Sequence, residues 1–293
     1  MGSNLLQAIV NIAARDQFLL SHKAQTRNRI NRVGESLEVY VQQAFANVFD
    51  SQTAIEFTQQ TQDIFSYVSN NSSPPDLILR DGDAVEVKKL ESINGTISLN
   101  SSYPKSHLHA DSSLLTQACK NCETKRWQIK DHIYVIGFVP KVGKALKTLK
   151  QLWFVDGACY AASRDVYEQP FTRISDSLHK AENVTFDEKS TELGRAIKVD
   201  PLERTILRVR GMWEIQHPNK AFRDLIGQQS TENFQMLAVV RESKYQQILN
   251  SDQNLETTIE RLGIQVTTAQ VLDPNNKAKL LNVRVVQYEA NHG

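Results

Sequence analysis

Residues 75–88 read Pro-Asp-Leu-Ile-Leu-Arg-Asp-Gly-Asp-Ala-Val-Glu-Val-Lys, and this stretch decides the local fold. Two short apolar runs, 77–79 and 84–87, flank the turn signal Asp81-Gly82-Asp83. The pattern predicts a β-hairpin in which the Asp-Gly pair supplies the positive φ that a tight turn needs. We therefore expect a β-sheet to be built around this hairpin.

The charged side chains of the hairpin indicate its chemistry. Glu86 and Lys88 lie two residues apart, so they project from the same face of one strand. Asp76 enters the first strand from the opposite arm of the hairpin and can approach that pair. Two carboxylates and one amine on a sheet surface can bind a divalent cation and activate water beside it. The stretch therefore predicts hydrolysis of a phosphodiester.

Glu-x-Lys alone is a weak signal, and the chain contains it as Glu86-Val-Lys88, Glu123-Thr-Lys125 and Glu242-Ser-Lys244. Only the first follows a Pro-Asp pair at hairpin distance and has apolar residues on both sides of its glutamate. Glu242 closes the apolar run 236–240 and is the serious rival, whereas Glu123 lies in a charged helix-end context. The alternative interpretation of the hairpin residues is a turn aspartate beside a surface ion pair.

Composition limits the class of protein. With 293 residues, 40% hydrophobic and 23% charged, the chain predicts a globular protein of one large or two modest domains. No apolar run approaches the ~20 residues of a membrane span. The N-terminus lacks the basic region of a signal peptide. Three cysteines argue against a disulfide framework, so we expect a cytoplasmic protein.

The net charge of +1 gives no hint of a polyanionic partner, but its distribution does. Residues 120–150 hold eight Lys or Arg against two acids, a surplus of six, and residues 201–223 hold five against two. Clustered cations beside a phosphodiester site are what neutralisation of a nucleic-acid backbone requires. A solvated helix face is the alternative, and for 141–150 it is the preferred interpretation.

Hydrophobic periodicity predicts helices over 5–14, 34–49, 114–122, 163–181 and 243–249. Strands are predicted over 132–139, 152–162, 205–215, 234–240, 264–271 and 281–288, and the second of them is predicted to turn at Asp156-Gly157. Residues 52–74 are polar and predict a loop, and 92–111 predict an irregular excursion. Helices and strands mixed without strict alternation indicate the α/β class in its α+β variant.

The helix predicted over 34–49 carries two further acids, Glu35 and Glu38, on roughly one face. Glu35 lies nearer the helix start, where the dipole favours an acid in any case. Glu38 lies beside the apolar stripe of Leu37 and Val41, so we prefer Glu38 as the acid that completes a metal shell. An exposed helical acid without a role is the alternative.

These motifs resemble a known family. Pro75-Asp76, nine residues and Glu86-Val87-Lys88 resemble the PD-(D/E)XK nuclease signature, and Gly34-x-x-Leu37-Glu38 is similar to the acidic helix of many such nucleases. Longer stretches resemble the NgoPII-type family of type II restriction endonucleases over roughly 27–123. They are Asn-Arg-Ile-Asn-Arg-Val-Gly, Pro-Pro-Asp-Leu-Ile-Leu, Glu-Val-Lys-Lys-Leu-Glu-Ser-Ile-Asn, Leu-Asn-Ser-Ser-Tyr-Pro-Lys-Ser and Gln-Ala-Cys-Lys-Asn-Cys-Glu.

The resemblance implies a restriction-endonuclease-like three-layer core with a mixed central sheet flanked by helices. It places a catalytic core at about 27–162 and an additional DNA-recognition and C-terminal part at about 163–293, within a single domain. It implies Mg²⁺-dependent cleavage of both strands of DNA at GGCC. Asp76, Glu86 and the Val87 carbonyl would be metal ligands. Lys88 would orient the attacking water or stabilise charge on phosphorus, and Glu38 would be the accessory acid.

The resemblance also implies partners. A palindromic double-stranded DNA target favours a homodimer with two-fold symmetry, and a cognate DNA methyltransferase would act on the same site. The candidate DNA contacts are Lys105, Arg208, Arg210, Tyr103 and Lys89. Lys105, Arg208 and Arg210 are candidates for reading guanine edges, and each of them could equally bind a phosphate or a surface acid. The alternatives are a repair or structure-selective nuclease of the same fold, and a non-catalytic DNA-binding protein whose acidic hairpin is structural.

One further cluster predicts different chemistry. His107 and His109, followed by Cys119 and Cys122, match the residue types of a Cys₂His₂ zinc site. A spacing of three between cysteines on a helix is also ordinary core periodicity, and cysteine is often buried. We prefer the core interpretation.

Overall fold

The computed structural model describes residues 2–15, 18–20, 37–50, 53–69, 73–140, 147–180, 185–186, 192–197, 199–227 and 233–290. The α-helices are α1 (Leu5–Arg15), α2 (Leu37–Ala46), α3 (Ala54–Thr61), α4 (Gln117–Lys120), α5 (Arg164–His179), α6 (Pro218–Ala221), α7 (Glu242–Ser251) and α8 (Leu255–Arg261). Within these described ranges, no helix has the length and apolar character needed to cross a membrane.

The strands are β1 (Leu19–Leu20), β2 (Phe65–Val68), β3 (Leu77–Leu79), β4 (Ala84–Leu90), β5 (Ile97–Asn100), β6 (His107–His109), β7 (Ile129–Phe138), β8 (Lys147–Thr148), β9 (Gln151–Asp156), β10 (Thr185–Phe186), β11 (Gly194–Ile197), β12 (Leu207–Val209), β13 (Trp213–Ile215), β14 (Phe234–Arg241), β15 (Gln265–Asp273) and β16 (Asn276–Ala290). Short 3₁₀ turns follow at Gly157–Cys159 and Arg223–Leu225.

A mixed sheet forms the centre, in the order β15-β16-β14-β9-β7-β4-β3-β2, with β6 paired to the start of β7. β4 runs parallel to β7, and β9 runs parallel to β14, whereas the other neighbours in the sheet are antiparallel. Smaller sheets pair β1 with β8, β5 with β13, and β10, β11 and β12 with one another.

The two faces of the sheet are covered differently. Val85 and Val87 of β4 face a core that buries residues of α1, α2, α7 and α8. On the other face, Tyr134 and Trp153 pack with the β5–β13 pair and Phe222. Because side chains alternate along β4, Glu86 and Lys88 lie on this second face. The predicted α/β fold, a mixed central sheet flanked by helices, is confirmed.

The strongly periodic elements were predicted correctly. They are the helices α1, α5 and α7 and the strands β7, β14, β15 and β16. Residues 34–36, at the start of the helix predicted over 34–49, lie outside the described residues, and Glu35 is one of them. The helix predicted over 114–122 is shorter and spans only Gln117–Lys120, where the Thr116 hydroxyl caps its start by accepting from the Cys119 N–H.

Two segments predicted to be irregular contain regular structure. The loop expected over 52–74 contains α3 and β2, because Thr53 caps α3 with its hydroxyl and Phe65 is buried opposite Leu79. The excursion expected over 92–111 contains β5 and β6, which are held by pairing with β13 and β7. Short strands of this kind depend on distant partners, so their own sequence predicts them poorly.

The segment predicted over 152–162 turns at Asp156-Gly157 as expected, whereas the strand predicted over 205–215 is interrupted. β9 ends at Asp156, and a 3₁₀ turn follows at Gly157, where an added Cβ would lie 2.6 Å from the Lys105 carbonyl oxygen. Residues 205–215 form β12 and β13 in different sheets. They separate around Gly211, where an added Cβ would lie 2.9 Å from the Phe171 ring.

Candidate active site

The hairpin predicted from residues 75–88 is present as β3 and β4. The Leu79 N–H donates to the Asp83 carbonyl at 2.9 Å, and the Gly82 N–H donates to the Leu79 carbonyl at 2.9 Å. The positive φ expected of the Asp-Gly pair is found at Asp81, at +52°. Aspartate is one of the residues that enters the left-handed region at low cost, so the Asp-Gly signal predicted this turn correctly.

The open end of the hairpin brings Asp76 to β4. β3 pairs only with Ala84 and Val85, so the edge of β4 is free beyond them. There the Val87 N–H donates to Asp76 Oδ2 at 2.6 Å. The N–H and C=O of one residue in a strand point to the same side, so the Val87 carbonyl faces this edge as well.

Glu86 and Lys88 are bonded to each other on the adjoining face. Lys88 Nζ donates to Glu86 Oε1 at 2.6 Å. Burial acts to lower the pKa of Lys88, but the Glu86 carboxylate outweighs it and the pKa is raised. Glu86 Oε2 is buried and has no hydrogen-bond partner in the described part of the chain. An unpaired buried carboxylate oxygen is costly, so this atom is arranged to receive a ligand.

The carboxylates of Asp76, Glu86 and Glu38 interact electrostatically at this point. Burial and then the Glu86 carboxylate raise the pKa of Asp76 to about 7, although the Val87 N–H and Lys88 act to lower it. Burial also raises the pKa of Glu38 on α2, with Lys88 lowering it and Glu86 raising it. Glu38 therefore lies within electrostatic reach of the hairpin acids, as expected of an accessory acid.

The donor set fits a hard divalent cation that keeps water and substrate ligands. Among the described residues, no three His, Cys, Asp or Glu side chains come close enough together to form a metal cage on their own. Mg²⁺ does not need such a cage, because it is usually held by one or two carboxylates together with water and substrate phosphates. The unpartnered Glu86 Oε2 and the raised pKa of Asp76, caused first by burial and then by the Glu86 carboxylate, are consistent with a site that binds a cation. Asp76, Glu86 and the Val87 carbonyl are therefore suitable ligands.

Lys105 was expected to read DNA from a loop, but its side chain is only 7% exposed. Its ammonium donates to the Ser102 hydroxyl, and its backbone N–H donates to the Tyr134 hydroxyl at 2.6 Å. Tyr134 pairs with Glu86 in the register of β4 and β7, so Lys105 lies against the face that carries Glu86 and Lys88. No motif in the sequence predicted that the Lys105 side chain is buried against this face of the sheet.

The other predicted DNA contacts are spread over the surface. Lys89 is exposed on β4, next to the candidate site in sequence. The Tyr103 ring is half-buried and stacks on Tyr167, with centroids 5.8 Å apart. Arg208 and Arg210 are each 53% exposed and share one acceptor, Glu192 Oε1, at 2.6 and 2.9 Å from their Nε atoms. Glu192 thus brings the two guanidinium groups together.

The rival motif around Glu123 supports the turn of the hairpin. Glu123 Oε1 accepts from the Asp81 N–H at 3.1 Å and from Lys130 Nζ at 2.8 Å. Lys130 Nζ also donates to the Gly82 carbonyl at 2.9 Å. Burial acts to raise the pKa of Glu123, but Lys130 holds it below its usual range. Lys130, counted in the basic segment 120–150, is therefore a buried structural cation.

The rival motif around Lys244 supports the same turn from α7. Lys244 Nζ donates to Asp83 Oδ1 at 2.6 Å and to Asp131 Oδ2 at 2.7 Å. Glu242 is bound instead by Arg284, with Nε to Oε2 at 2.6 Å. Both rival Glu-x-Lys motifs are thus occupied by structural ion pairs.

The zinc alternative is not supported in the part of the chain that the structure describes, where no metal-binding group of these residue types forms. Cys119 is buried against Leu108, Leu115 and Trp127, and burial raises the pKa of its thiol to about 12. His107 Nε2 lies 3.4 Å from Asp131 Oδ1 and not beside a thiol. The core interpretation of this cluster is the one the structure favours.

Known proteins resemble this chain over nearly its whole length. Residues 3–272 match the family model described as NgoPII restriction endonuclease. The chain is 37% identical over 285 residues to a curated relative named Type II restriction enzyme NgoPII, from Neisseria gonorrhoeae, covering 97% of this chain and 99% of that relative. No solved structure matches the chain. The similarity therefore includes both the hairpin and most of the C-terminal part.

Proposed function

The chain belongs to the NgoPII family of type II restriction endonucleases, and we propose that it cuts both strands of a specific DNA sequence in a Mg²⁺-dependent reaction. The reaction centre is Asp76, Glu86 and Lys88, with Glu38 as accessory acid. The observation that carries this proposal is the open end of the hairpin. There Asp76 is bonded to the Val87 N–H, Glu86 is bonded to Lys88, and a buried oxygen of Glu86 has no partner.

The chain's own groups divide the work of hydrolysis. Asp76, Glu86 and the Val87 carbonyl hold the cation, and Lys88, fixed by Glu86, orients the attacking water in line with phosphorus. When bound, Mg²⁺ polarises the phosphate and lowers the pKa of water. The water oxygen forms a bond to phosphorus, the bond from phosphorus to the leaving oxygen breaks, and the proton of the water passes to solvent. No protein nucleophile is required.

The proposal has finer parts. The target is GGCC, the enzyme acts as a homodimer in the cytoplasm, and a cognate methyltransferase modifies the same site. Residues of about 27–162 form the catalytic core, and about 163–293 add DNA recognition. Lys89, Tyr103, Arg208 and Arg210 contact DNA. The support for Arg208 and Arg210 is their exposure, since each side chain is 53% exposed; both are also paired with Glu192, so contact with a phosphate or a guanine edge requires donors of the guanidinium groups that Glu192 does not occupy.

The test is cleavage of a long mixed-sequence duplex with Mg²⁺ by the intact protein, Lys88→Ala and Arg261→Met. Arg261 ends α8, which packs on the opposite face of the sheet, so its variant is the matched control. We expect discrete fragments from the intact protein and the control, and none from a folded Lys88→Ala. Fragment ends then give the target and cut position. Equal cutting by Lys88→Ala would refute this active site, and uncut DNA with all three would refute the nuclease.

A short duplex with one GGCC tests the target, and the same duplex with one base pair of the site exchanged is its control. Cleavage of both duplexes would contradict sequence specificity. Cleavage of neither, with discrete fragments from the long duplex, would assign a different target. Sedimentation of the protein with and without the short duplex measures whether it binds as a dimer.

A further inference from the structure

Lys105 is a buried cation without a carboxylate partner. In the residues that the structure describes, its ammonium donates to the Ser102 hydroxyl and takes part in no ion pair with Asp or Glu. Burying an ammonium is costly unless a negative group offsets the lost hydration. A hydroxyl offsets only part of that cost, and the Tyr103 ring, whose centroid lies 5.8 Å from Nζ, adds only a weak contact, so in the described residues no negative group is bonded to the Lys105 ammonium.

The chain fixes this lysine in position from two sides. Its backbone N–H donates to the Tyr134 hydroxyl at 2.6 Å, on the strand next to Glu86. Its carbonyl oxygen lies directly over Gly157, where an added Cβ would approach to 2.6 Å. A loop that is pinned to a sheet strand and seated on a glycine carries its side chain in a preset position, which is what binding a reacting group requires.

The neighbouring lysine, Lys88, differs from Lys105 because it has a carboxylate partner. Lys88 Nζ is bonded to Glu86 at 2.6 Å, so much of its charge is already matched by a carboxylate. Lys105 lies on the same face of the sheet without such a match. Burial lowers the pKa of Lys105, the Glu86 and Asp76 carboxylates act against this, and Lys88 reinforces it. The two ammonium groups therefore belong to one electrostatic site.

We propose that Lys105, with the Ser102 hydroxyl, binds a non-bridging oxygen of the phosphate that is cut. This rests on the proposed nuclease function and gives it a second cation beside Lys88. A buried point charge suits a phosphate oxygen, whereas reading a base edge requires a side chain that extends into a DNA groove. The incoming phosphate supplies the negative charge that Lys105 lacks, and the ammonium faces the charge that develops on phosphorus.

The test is a double-mutant cycle in which the charge of Lys105 and the charge of the phosphate are removed separately and together. The measured quantity is the affinity of the protein for duplex DNA in the absence of divalent cations. The duplexes carry either a normal phosphate or a neutral methylphosphonate at the bond that the enzyme cuts. The proteins are the intact chain, Lys105→Met and the control Arg261→Met. We expect the methylphosphonate to weaken binding about 10-fold to 100-fold for the intact chain and the control, the range for a hydrogen bond to a charged group. For Lys105→Met the same change should cost less than about threefold, because the interacting charge is already gone.

Equal losses for the intact chain and Lys105→Met would overturn the proposal, because the lysine would then act independently of that phosphate. If circular dichroism shows that Lys105→Met does not fold, Lys105→Gln, which also lacks the charge but keeps a polar end, takes its place in the cycle, and a penalty as large as that of the intact chain overturns the proposal in the same way. The nuclease function is judged separately, since discrete cleavage by the intact protein and its loss in Lys88→Ala do not depend on either result.

Discussion

The two ends of the β3–β4 hairpin differ in how completely their polar and charged groups are paired. At the turn, the Asp81 N–H, the Gly82 carbonyl and the Asp83 carboxylate are bound by Glu123, Lys130 and Lys244. At the open end, Lys88 donates to Glu86 alone among the residues that the structure describes, and Asp76 accepts from the Val87 N–H. There Glu86 Oε2 has no partner in the described residues, and the pKa of Asp76 is raised to about 7.

This difference separates structural charge from functional charge within one element. A buried ion that is fully paired contributes to a defined geometry, whereas an incompletely paired one costs stability until a ligand arrives. All three Glu-x-Lys motifs contact this hairpin. Glu86 and Lys88 lie at its open end, whereas Glu123 and Lys244, from the other two motifs, bind its turn. What distinguishes the motif proposed to be catalytic is therefore a buried carboxylate oxygen without a partner in the described residues, and not the spacing of its residues.

The largest expected effect is at the open end. Glu86→Gln keeps the shape of the side chain and an acceptor for Lys88 but removes the buried charge. We expect the single-turnover cleavage rate to fall about 100-fold to 1000-fold. The free energy of unfolding in urea should stay the same or rise, because one of three crowded carboxylates is gone. Glu260→Gln, exposed on α8, should change neither quantity.

If Glu86→Gln instead lowered stability and left the cleavage rate unchanged, the open end would be structural like the turn. The difference between the two ends would then disappear, and the reaction centre would have to lie elsewhere. Unfolding and cleavage must therefore be measured on the same preparation.

The second effect is at the turn and concerns stability. Lys244→Met leaves Asp83, whose side chain is 13% exposed, without its cation and leaves half-buried Asp131 with Arg241, so we expect a loss of up to roughly 3–5 kcal/mol in the free energy of unfolding. Below its melting transition, the variant should cleave DNA within about threefold of the intact rate, because Lys244 contacts no group of the reaction centre. Urea unfolding and single-turnover cleavage measure the two quantities.

Two further variants sharpen this expectation. Adding Asp83→Asn to Lys244→Met removes one of the stranded charges, so part of the lost stability should return. Arg261→Met removes an exposed cation on the other side of the sheet and should stay within about 0.5 kcal/mol of the intact chain. A cleavage loss much larger than the stability loss in Lys244→Met would contradict a purely structural turn.

The third effect is a pH dependence at Asp76. Its pKa is raised to about 7 in the folded protein, so the folded state binds a proton more tightly than the unfolded chain. The stability from that proton is complete below the unfolded pKa of about 3.9 and is lost as pH rises through about 7. Without divalent cations, we expect the intact chain to lose stability relative to Asp76→Asn between pH 4 and pH 8, on the order of a few kcal/mol.

Urea unfolding of both proteins with a chelator at a series of pH values measures this difference. Near pH 8, added Ca²⁺ or Mg²⁺ should stabilise the intact chain and have little effect on Asp76→Asn, because the cation replaces the missing positive charge. A stability difference that does not vary with pH would show that Asp76 stays ionised throughout, as a paired structural acid does.

The β3–β4 hairpin could be predicted from the sequence because the information that defines it is local. Alternation along ten residues and one turn signal define which side chains share a face, and they predicted the neighbourhood of Asp76, Glu86 and Lys88. The residues that bind the turn could not be predicted from the sequence, because Lys244 is 161 residues from Asp83 and Glu123 is 42 residues from Asp81. Such contacts follow from strand order and helix packing, which no local pattern encodes.

The same limit explains the elements that were missed. β14 and β16 carry long apolar alternations and were predicted, whereas β5 and β6 are short and depend on pairing with β13 and β7. Lys105 belongs with these, because its position depends on the hydroxyl of Tyr134, which is 29 residues away, and on the glycine at 157. The sequence Ser-Tyr-Pro-Lys-Ser is as compatible with an exposed lysine that contacts DNA as with a buried one.

The smallest expected effect separates turn geometry from catalysis. Asp81 has φ of +52° and an exposed side chain, and its backbone N–H, not its carboxylate, binds Glu123. Asp81→Gly should therefore change the free energy of unfolding by no more than about 1 kcal/mol, while Asp81→Val, whose branched side chain resists positive φ, should lower it by about 1–2 kcal/mol. Both should cleave at the intact rate once folded. A Val variant that cleaves tenfold more slowly at full folding would mean that strain at the turn reaches Glu86 through β4, so that the two ends of the hairpin act as one unit.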